Sequence, residues 1–153
     1  MSITKDTSVW EKIKAGFKND LQLSVGFFPE DRYDSENDNV PVAYIAEIQD
    51  KGYGPPARPF MSGANGLTGV IRSAPYRKDY EQSLKRILDG KSSFTAEYSL
   101  IGKALVEDTK EIIDDWSSPP NAALTVELKG FNDPLIETGT MRDAVKYKIE
   151  KGS

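Results

Sequence analysis

Apolar positions recur along this chain at two different spacings, and each change of spacing marks the boundary of an element. Val9, Trp10, Ile13 and Phe17 fall three to four apart, and Ser8 followed by Glu11 forms a capping box, so a first helix is predicted over residues 8 to 18. The period then drops to two. Leu21, Leu23, Val25 and Phe27 alternate with Gln22, Ser24 and Gly26 up to Pro29, the signature of a strand with one covered face. Residues 30 to 39 (EDRYDSENDN) hold almost nothing apolar and predict a mobile acidic loop or hairpin tip. From Pro41 in the first turn, Val42, Ile45, Ala46 and Ile48 restore the helical period until Gly52 ends it.

Residues 53 to 60 contain Pro55, Pro56 and Pro59, which fix φ and remove donors, so this segment reads as a stiff extended connector. Glycines leave 61 to 76 unassigned, although Leu67, Val70 and Ile71 need cover. Tyr80, Leu84, Ile87 and Leu88 predict an amphipathic helix over 77 to 89, stopped at Gly90. The longest pattern, through Phe94, Tyr98, Ile101, Leu105, Ile112 and Trp116, predicts a central helix over 93 to 116 that Pro119 and Pro120 close. A loop or short turn is expected around 121 to 136, and Thr140 with Asp143 has capping-box-like spacing over one turn. Val145, Tyr147 and Ile149 then alternate with Lys146, Lys148 and Glu150 as a closing strand over 144 to 150. Strands near both ends with helices between them give an α+β fold: a small antiparallel sheet packed against the long central helix and shorter helices. At 153 residues the chain suits one domain, 1–153.

Composition removes most enzyme mechanisms. With no Cys and no His, the chain lacks thiolate nucleophiles, imidazole bases, Ser-His-Asp triads and the usual zinc ligands. No apolar run suits a bilayer span, and the opening MSITKDTSVW lacks the order of a secretory signal, so a cytoplasmic, membrane-free protein is expected. The net charge of −4 is unevenly spread. Glu30, Asp31, Asp34, Glu36, Asp38, Glu47 and Asp50 face a single base, Arg32, within 30 to 50. Arg72, Arg77, Lys78, Lys85, Arg86 and Lys91 outnumber the acids within 72 to 91. Such opposite regions on one molecule suit head-to-tail self-association, in which the acidic region of one copy meets the basic region of the next.

No phosphate-cradling glycine motif is present, and the acidic loop lacks the glycine and the final Glu of a calcium loop. No catalytic, cofactor or metal residue is therefore assigned. The acids Glu107, Asp108, Glu111, Asp114 and Asp115 interleave with the apolar stripe of the central helix, where a wet face is required in any case.

The distinctive residues are chemically inert. Arg58-Pro59-Phe60, Pro119-Pro120-Asn121, Lys129-Gly130, Pro134-Leu135 and Thr138-Gly139 occur in that order, and over residues 40 to 150 this set resembles the tail-completion or neck proteins of tailed bacteriophages, the virion morphogenesis or minor tail proteins. The resemblance implies a structural virion protein and no catalysis. It implies a homo-oligomeric ring, a hexamer, at the head–tail neck, contacting the connector or adaptor and the tail tube or tail terminator, with DNA only in passage. It places the protein in the virion, and in the host cytoplasm during assembly.

Under that reading the subunit and partner contacts are expected at Asp31, Asp34 and Glu36 of the acidic loop, at Arg58, Pro59 and Phe60, at Arg77 and Lys78, and at Pro119, Pro120, Asn121, Lys129 and Gly130. Phe60 would be the apolar anchor, or else would cover the domain's own core, and Arg58 would be a bidentate partner for a neighbour's carboxylate. Two other readings compete: a Mg²⁺-dependent hydrolase or nuclease using Glu107, Glu111 and Asp114, and a nucleic-acid-binding module using Arg77, Lys78, Lys85 and Arg86.

Overall fold

A computed structural model describes residues 20–152 together with Thr7, Ser8, Trp10, Glu11, Lys14 and Ala15; the remainder of the helix predicted over 8 to 18 lies outside the described residues. The fold is α+β. Strand β1 (Leu21–Gly26) pairs antiparallel with β2 (Lys146–Lys151), Leu21 opposite Lys151 and Gly26 opposite Lys146. This two-stranded sheet lies on the long helix. The other helices are α1 (Val42–Lys51), α2 (Leu67–Ile71), α3 (Ala74–Leu88), α4 (Phe94–Asp115), α5 (Ala123–Lys129) and α6 (Thr140–Asp143). No helix among the described residues is long and apolar enough to cross a membrane.

Helix α4 is the axis because its sequence supplies both a start and two covered faces. Ser93 accepts the amide of Ala96 at its N-terminus, and Trp116 turns extended at its end. Val106 and Ile113 enter one apolar cluster with Val42, Ala46, Phe60, Leu135 and Met141, while Ile101 and Leu105 enter a second with Leu67 and Tyr76. Gly102 sets the distance to the sheet. A Cβ there would stand 2.5 Å from the Tyr147 ring and 3.1 Å from Leu23, so a larger residue would hold the strands off the helix. Helix α1 turns one face inward through Val42, Ala46 and Asp50, and Gly52 closes it at φ 79° with its amide on the Ile48 carbonyl, a conformation that suits glycine.

Several expectations are corrected. Pro41 caps α1 from outside the first turn. Residues 61 to 76 contain the short α2 and the beginning of α3, which starts at Ala74 with a proline in its first turn. On α3 the buried residues are Tyr76, Ser83 and Ile87, whereas Leu84 and Leu88 are exposed, so the covered face is rotated from the one the leucines suggested. Residues 123–129 form α5 where a loop was expected. The short helix α6 is capped by Gly139 with no side-chain capping bond, and the Thr140 hydroxyl instead meets that of Thr138 at 2.7 Å.

The acidic segment folds back on itself. Arg32 bridges to Pro41, Tyr33 donates its amide to the Val40 carbonyl, and Asp34 accepts both the amide and the side-chain nitrogen of Asn37. It forms a hydrogen-bonded hairpin tip, with Asp38 and Asn39 at positive φ.

Candidate functional site

Two of the ordered motif segments, Arg58-Pro59-Phe60 and Pro119-Pro120-Asn121, meet where the Pro-rich connector reaches the loop leaving α4, and Asn121, Lys129, Pro134, Leu135, Thr138 and Gly139 line one cavity beside it. The centre is Arg58, only 3% exposed. Its backbone amide donates to the Gln49 carbonyl at 2.8 Å, which ties the connector to α1. Each of its three guanidinium nitrogens donates to a neutral acceptor. Nε donates to the Pro119 carbonyl at 3.1 Å, Nη1 to Gln49 Oε1 at 2.6 Å, and Nη2 to the Pro120 carbonyl at 3.2 Å and, at the outer limit, to Asn121 Oδ1 at 3.5 Å.

This arrangement suits the chemistry of the two partners. Consecutive prolines have no N–H, so the segment cannot satisfy its carbonyls in a regular ladder, and the planar fork of an arginine reaches two of them at once. Burial pushes the Arg58 guanidinium below its ordinary pKa, because no carboxylate is among its partners.

Lys129 closes the other end of the loop. Its ammonium donates to the carbonyls of Asp133, at 3.0 Å, and Ile136, and lies 4.8 Å from the centre of the Phe131 ring. Burial lowers its pKa, with Arg58 nearby adding to the effect against the opposing pull of Glu137 and Asp133. Gly130 at φ 79° terminates α5, and Pro134 and Leu135 are buried behind it. A cavity of about 240 Å³ lies between α1 and this loop, lined by Gln49, Asn121, Lys129, Leu135 and Tyr33.

Two expected contact residues are thus corrected. Arg58 is engaged internally and offers no bidentate face to a neighbour's carboxylate. Phe60 is 0% exposed, edge-on to Phe27 at 6.2 Å within the chain's own core, and is no subunit anchor. Pro59 is half-buried between them; Pro119, Pro120 and Asn121 serve as acceptors, and Lys129 turns back into its own loop.

Asp31 is not free in the acidic loop: it pairs with Lys146 on β2, as Glu30 does with Lys148, whose hydrogen bond lowers the Glu30 pKa. Asp34 and Glu36 remain exposed, as do Arg77 and Lys78 on α3.

The competing constellations are dispersed. Asp114 receives the Nε of Arg142 at 2.7 and 2.8 Å, and Glu107 faces Lys110 at 3.6 Å, so neither is joined to Glu111 in one site. Among the described residues no group of three carboxylates is placed to hold a metal ion. Arg86 is withdrawn from the basic face by Glu97, a side chain 2% exposed that receives Nε at 2.9 Å and Nη2 at 2.6 Å and is held by that pair at a pKa of about 2.

One surface was missed from the sequence. Helix α5 buries none of its residues, and Leu124 and Leu128, one turn apart, are 67% and 80% exposed. Two leucines four positions apart are too short a pattern to mark a helix in the sequence. Comparison with family models, with curated proteins and with solved structures finds no match to this chain.

Proposed function

We propose that this protein is a structural component of a tailed-phage virion, a ring-forming adaptor at the head–tail neck that completes the tail or joins it to the connector and lets DNA pass. The observation that supports this reading is the clamp between two of the motif segments: Arg58 holds Pro119, Pro120 and Asn121, which fixes the start of the loop between α4 and β2 on the core, and Lys129 ties the loop to itself further on. A clamp of this kind does no chemistry. It makes a surface rigid, and a rigid surface is what an adaptor must offer, because interfaces lose affinity to every segment they have to order.

The remaining surface fits self-association. Asp34, Glu36 and Asp38 stand on one hairpin tip, and Arg72, Arg77, Lys78 and Lys85 stand exposed on or beside α3, none of these cations in an ion pair among the described residues. Unlike patches on one chain favour a heterologous, ring-closing contact. Copies of the chain, the connector or adaptor, and the tail tube or terminator are the proposed partners, in the virion and, during assembly, in the host cytoplasm. An acidic lumen would keep passing DNA from adhering.

The test is electron microscopy of particles made without the protein. Capsids and tails that fail to join, or tails left unfinished, are expected; complete infectious virions refute the proposal.

A further inference from the structure

Among the described residues the sheet has two strands, so each has an outer edge, and the register shows which groups lie along it. Gly152 donates its amide to the Asp20 carbonyl, which makes Asp20 and Gly152 a hydrogen-bonded pair one step before Leu21 and Lys151. Such pairs alternate in an antiparallel ladder. Gln22, Ser24 and Gly26 therefore bond to β2, whereas the N–H and C=O groups of Leu21, Leu23 and Val25 point away from it. By the same count Tyr147, Ile149 and Lys151 direct theirs outward from β2. No other backbone bond to these six residues occurs among the described residues.

The edge of β1 is also a wall of a groove of about 640 Å³, with Leu67 and Ile71 of α2, Tyr80 of α3, and Tyr98 and Ile101 of α4 around it. Unpaired strand groups beside an apolar trough accept an extended chain as a further strand. Nothing in LQLSVG blocks this: the strand has no charge and no proline, the usual protections of an edge.

We infer that β1 of one copy accepts the outer edge of β2 from a second copy, so that the sheet continues from subunit to subunit. The chain supplies both halves of this contact. Tyr147 and Ile149 lie on the helix-facing side of β2, as Leu21, Leu23 and Val25 do on β1, so apolar rows meet when the strands join. Charge selects the pairing. Among the described residues Asp20 is the one charged residue lining the groove, and on β2 Lys146 and Lys148 are already paired with Asp31 and Glu30, which leaves Lys151 as the cation without an ion pair among those residues. Pairing β2 with β2 sets two Lys151 side chains on one seam and leaves both β1 edges bare, and pairing β1 with β1 leaves both β2 edges bare. Joining unlike edges satisfies both and is head-to-tail, the contact a ring requires. The inference rests on the ring reading and names its contact: backbone edges carry the pairing, and the charged patches steer it.

Hydrogen exchange resolved to single amides, on dilute monomer and on assembled full-length protein, tests it. Leu21, Leu23, Val25, Tyr147, Ile149 and Lys151 are expected to exchange about tenfold or more slowly on assembly, with Gln22 and Ser24 unchanged. Because the chain has no cysteine, Gln22→Cys and Glu150→Cys each introduce a unique thiol on the exposed side of the sheet. Mild oxidation should join the two variants by a disulfide when mixed and join neither to itself when alone, because adjacent strands stand about 4.8 Å apart and the like strands of successive copies about twice that. Unchanged edge amides in an assembled ring overturn the strand contact and leave the ring standing. Self-linking by Gln22→Cys alone overturns it in favour of a two-fold β1 dimer, and a monomer at every concentration overturns it too. The ring reading falls separately, if virions form without the protein.

Discussion

Replacing Arg58 by Lys separates an internal clamp from an intersubunit one, because the charge survives and the fork does not. The guanidinium now serves the Gln49 side chain and the Pro119 and Pro120 carbonyls at 2.6, 3.1 and 3.2 Å. An ammonium presents its donors from one point and can keep about one of these three acceptors. Two bonds from a charged donor are lost, each worth about 1.5–3 kcal/mol. Pro120 is exposed and recovers a water, which brings the expected loss to about 2–4 kcal/mol. For a chain of this size that is a fall in Tm of about 4–16 °C, read by differential scanning calorimetry of the free protein and confirmed by the urea midpoint. If Arg58 instead held a neighbour's carboxylate, the same variant would melt with the wild type and fail only on assembly. A loss below about 0.5 kcal/mol in the free protein refutes the clamp.

Three further substitutions probe the supports of the fold. Gly102→Ala gains about 1 kcal/mol of helix propensity but sets a Cβ 2.5 Å from the Tyr147 ring, so a net destabilisation of about 1–2 kcal/mol is expected from the urea midpoint at unchanged slope. Asp50→Asn weakens the carboxylate that receives the amides of Met61 and Ser62 at 2.8 and 3.1 Å. Burial raises the Asp50 pKa, but those hydrogen bonds outweigh it and the net shift is downward, so the charged form is the stabilising one and a cost of about 1–2 kcal/mol should appear in thermal melts at neutral pH. Glu97 is held at about 2 by Arg86, below its unfolded value of 4.5. Its contribution is therefore complete above about pH 4.5 and is lost as pH falls toward 2. Urea midpoints between pH 6 and 2 should fall more steeply for the wild type than for Glu97→Gln; parallel curves would contradict the assignment.

What the sequence discloses of this fold is periodicity and punctuation, and those are local. The central helix is readable because Ser93 supplies a cap, the apolar stripe runs unbroken, and two prolines follow it. The strands are readable because Leu21, Leu23 and Val25, and later Tyr147 and Ile149, alternate with polar residues. Periodicity says which residues share a face, however, and not whether that face is covered. Leu84 and Leu88 share one and remain exposed, while Ser83 is buried because Arg86 reaches across it to Glu97 and donates to its hydroxyl on the way. Helix α5 escaped notice for a related reason: a seven-residue helix that buries nothing has no amphipathic contrast to read.

The misplacement of Arg58 has a deeper cause, and it bears on how the motif should be used. Sequence reasoning pairs a cation with an anion, but the acceptors here are backbone carbonyls and one amide, and every residue in the chain owns a carbonyl. Only the fold decides that those of Pro119 and Pro120, sixty-odd positions away by roughly the same measure, stand in reach of the guanidinium. A motif spent inward in this way cannot itself be the binding surface. Its function is transmitted through what it immobilises: the loop that carries α5 with its two exposed leucines, and the path of the chain from α4 into β2. On the ring reading proposed above, a neighbour would meet the strand edge and the leucines, and losing Arg58 would weaken assembly only by loosening the loop that carries those leucines.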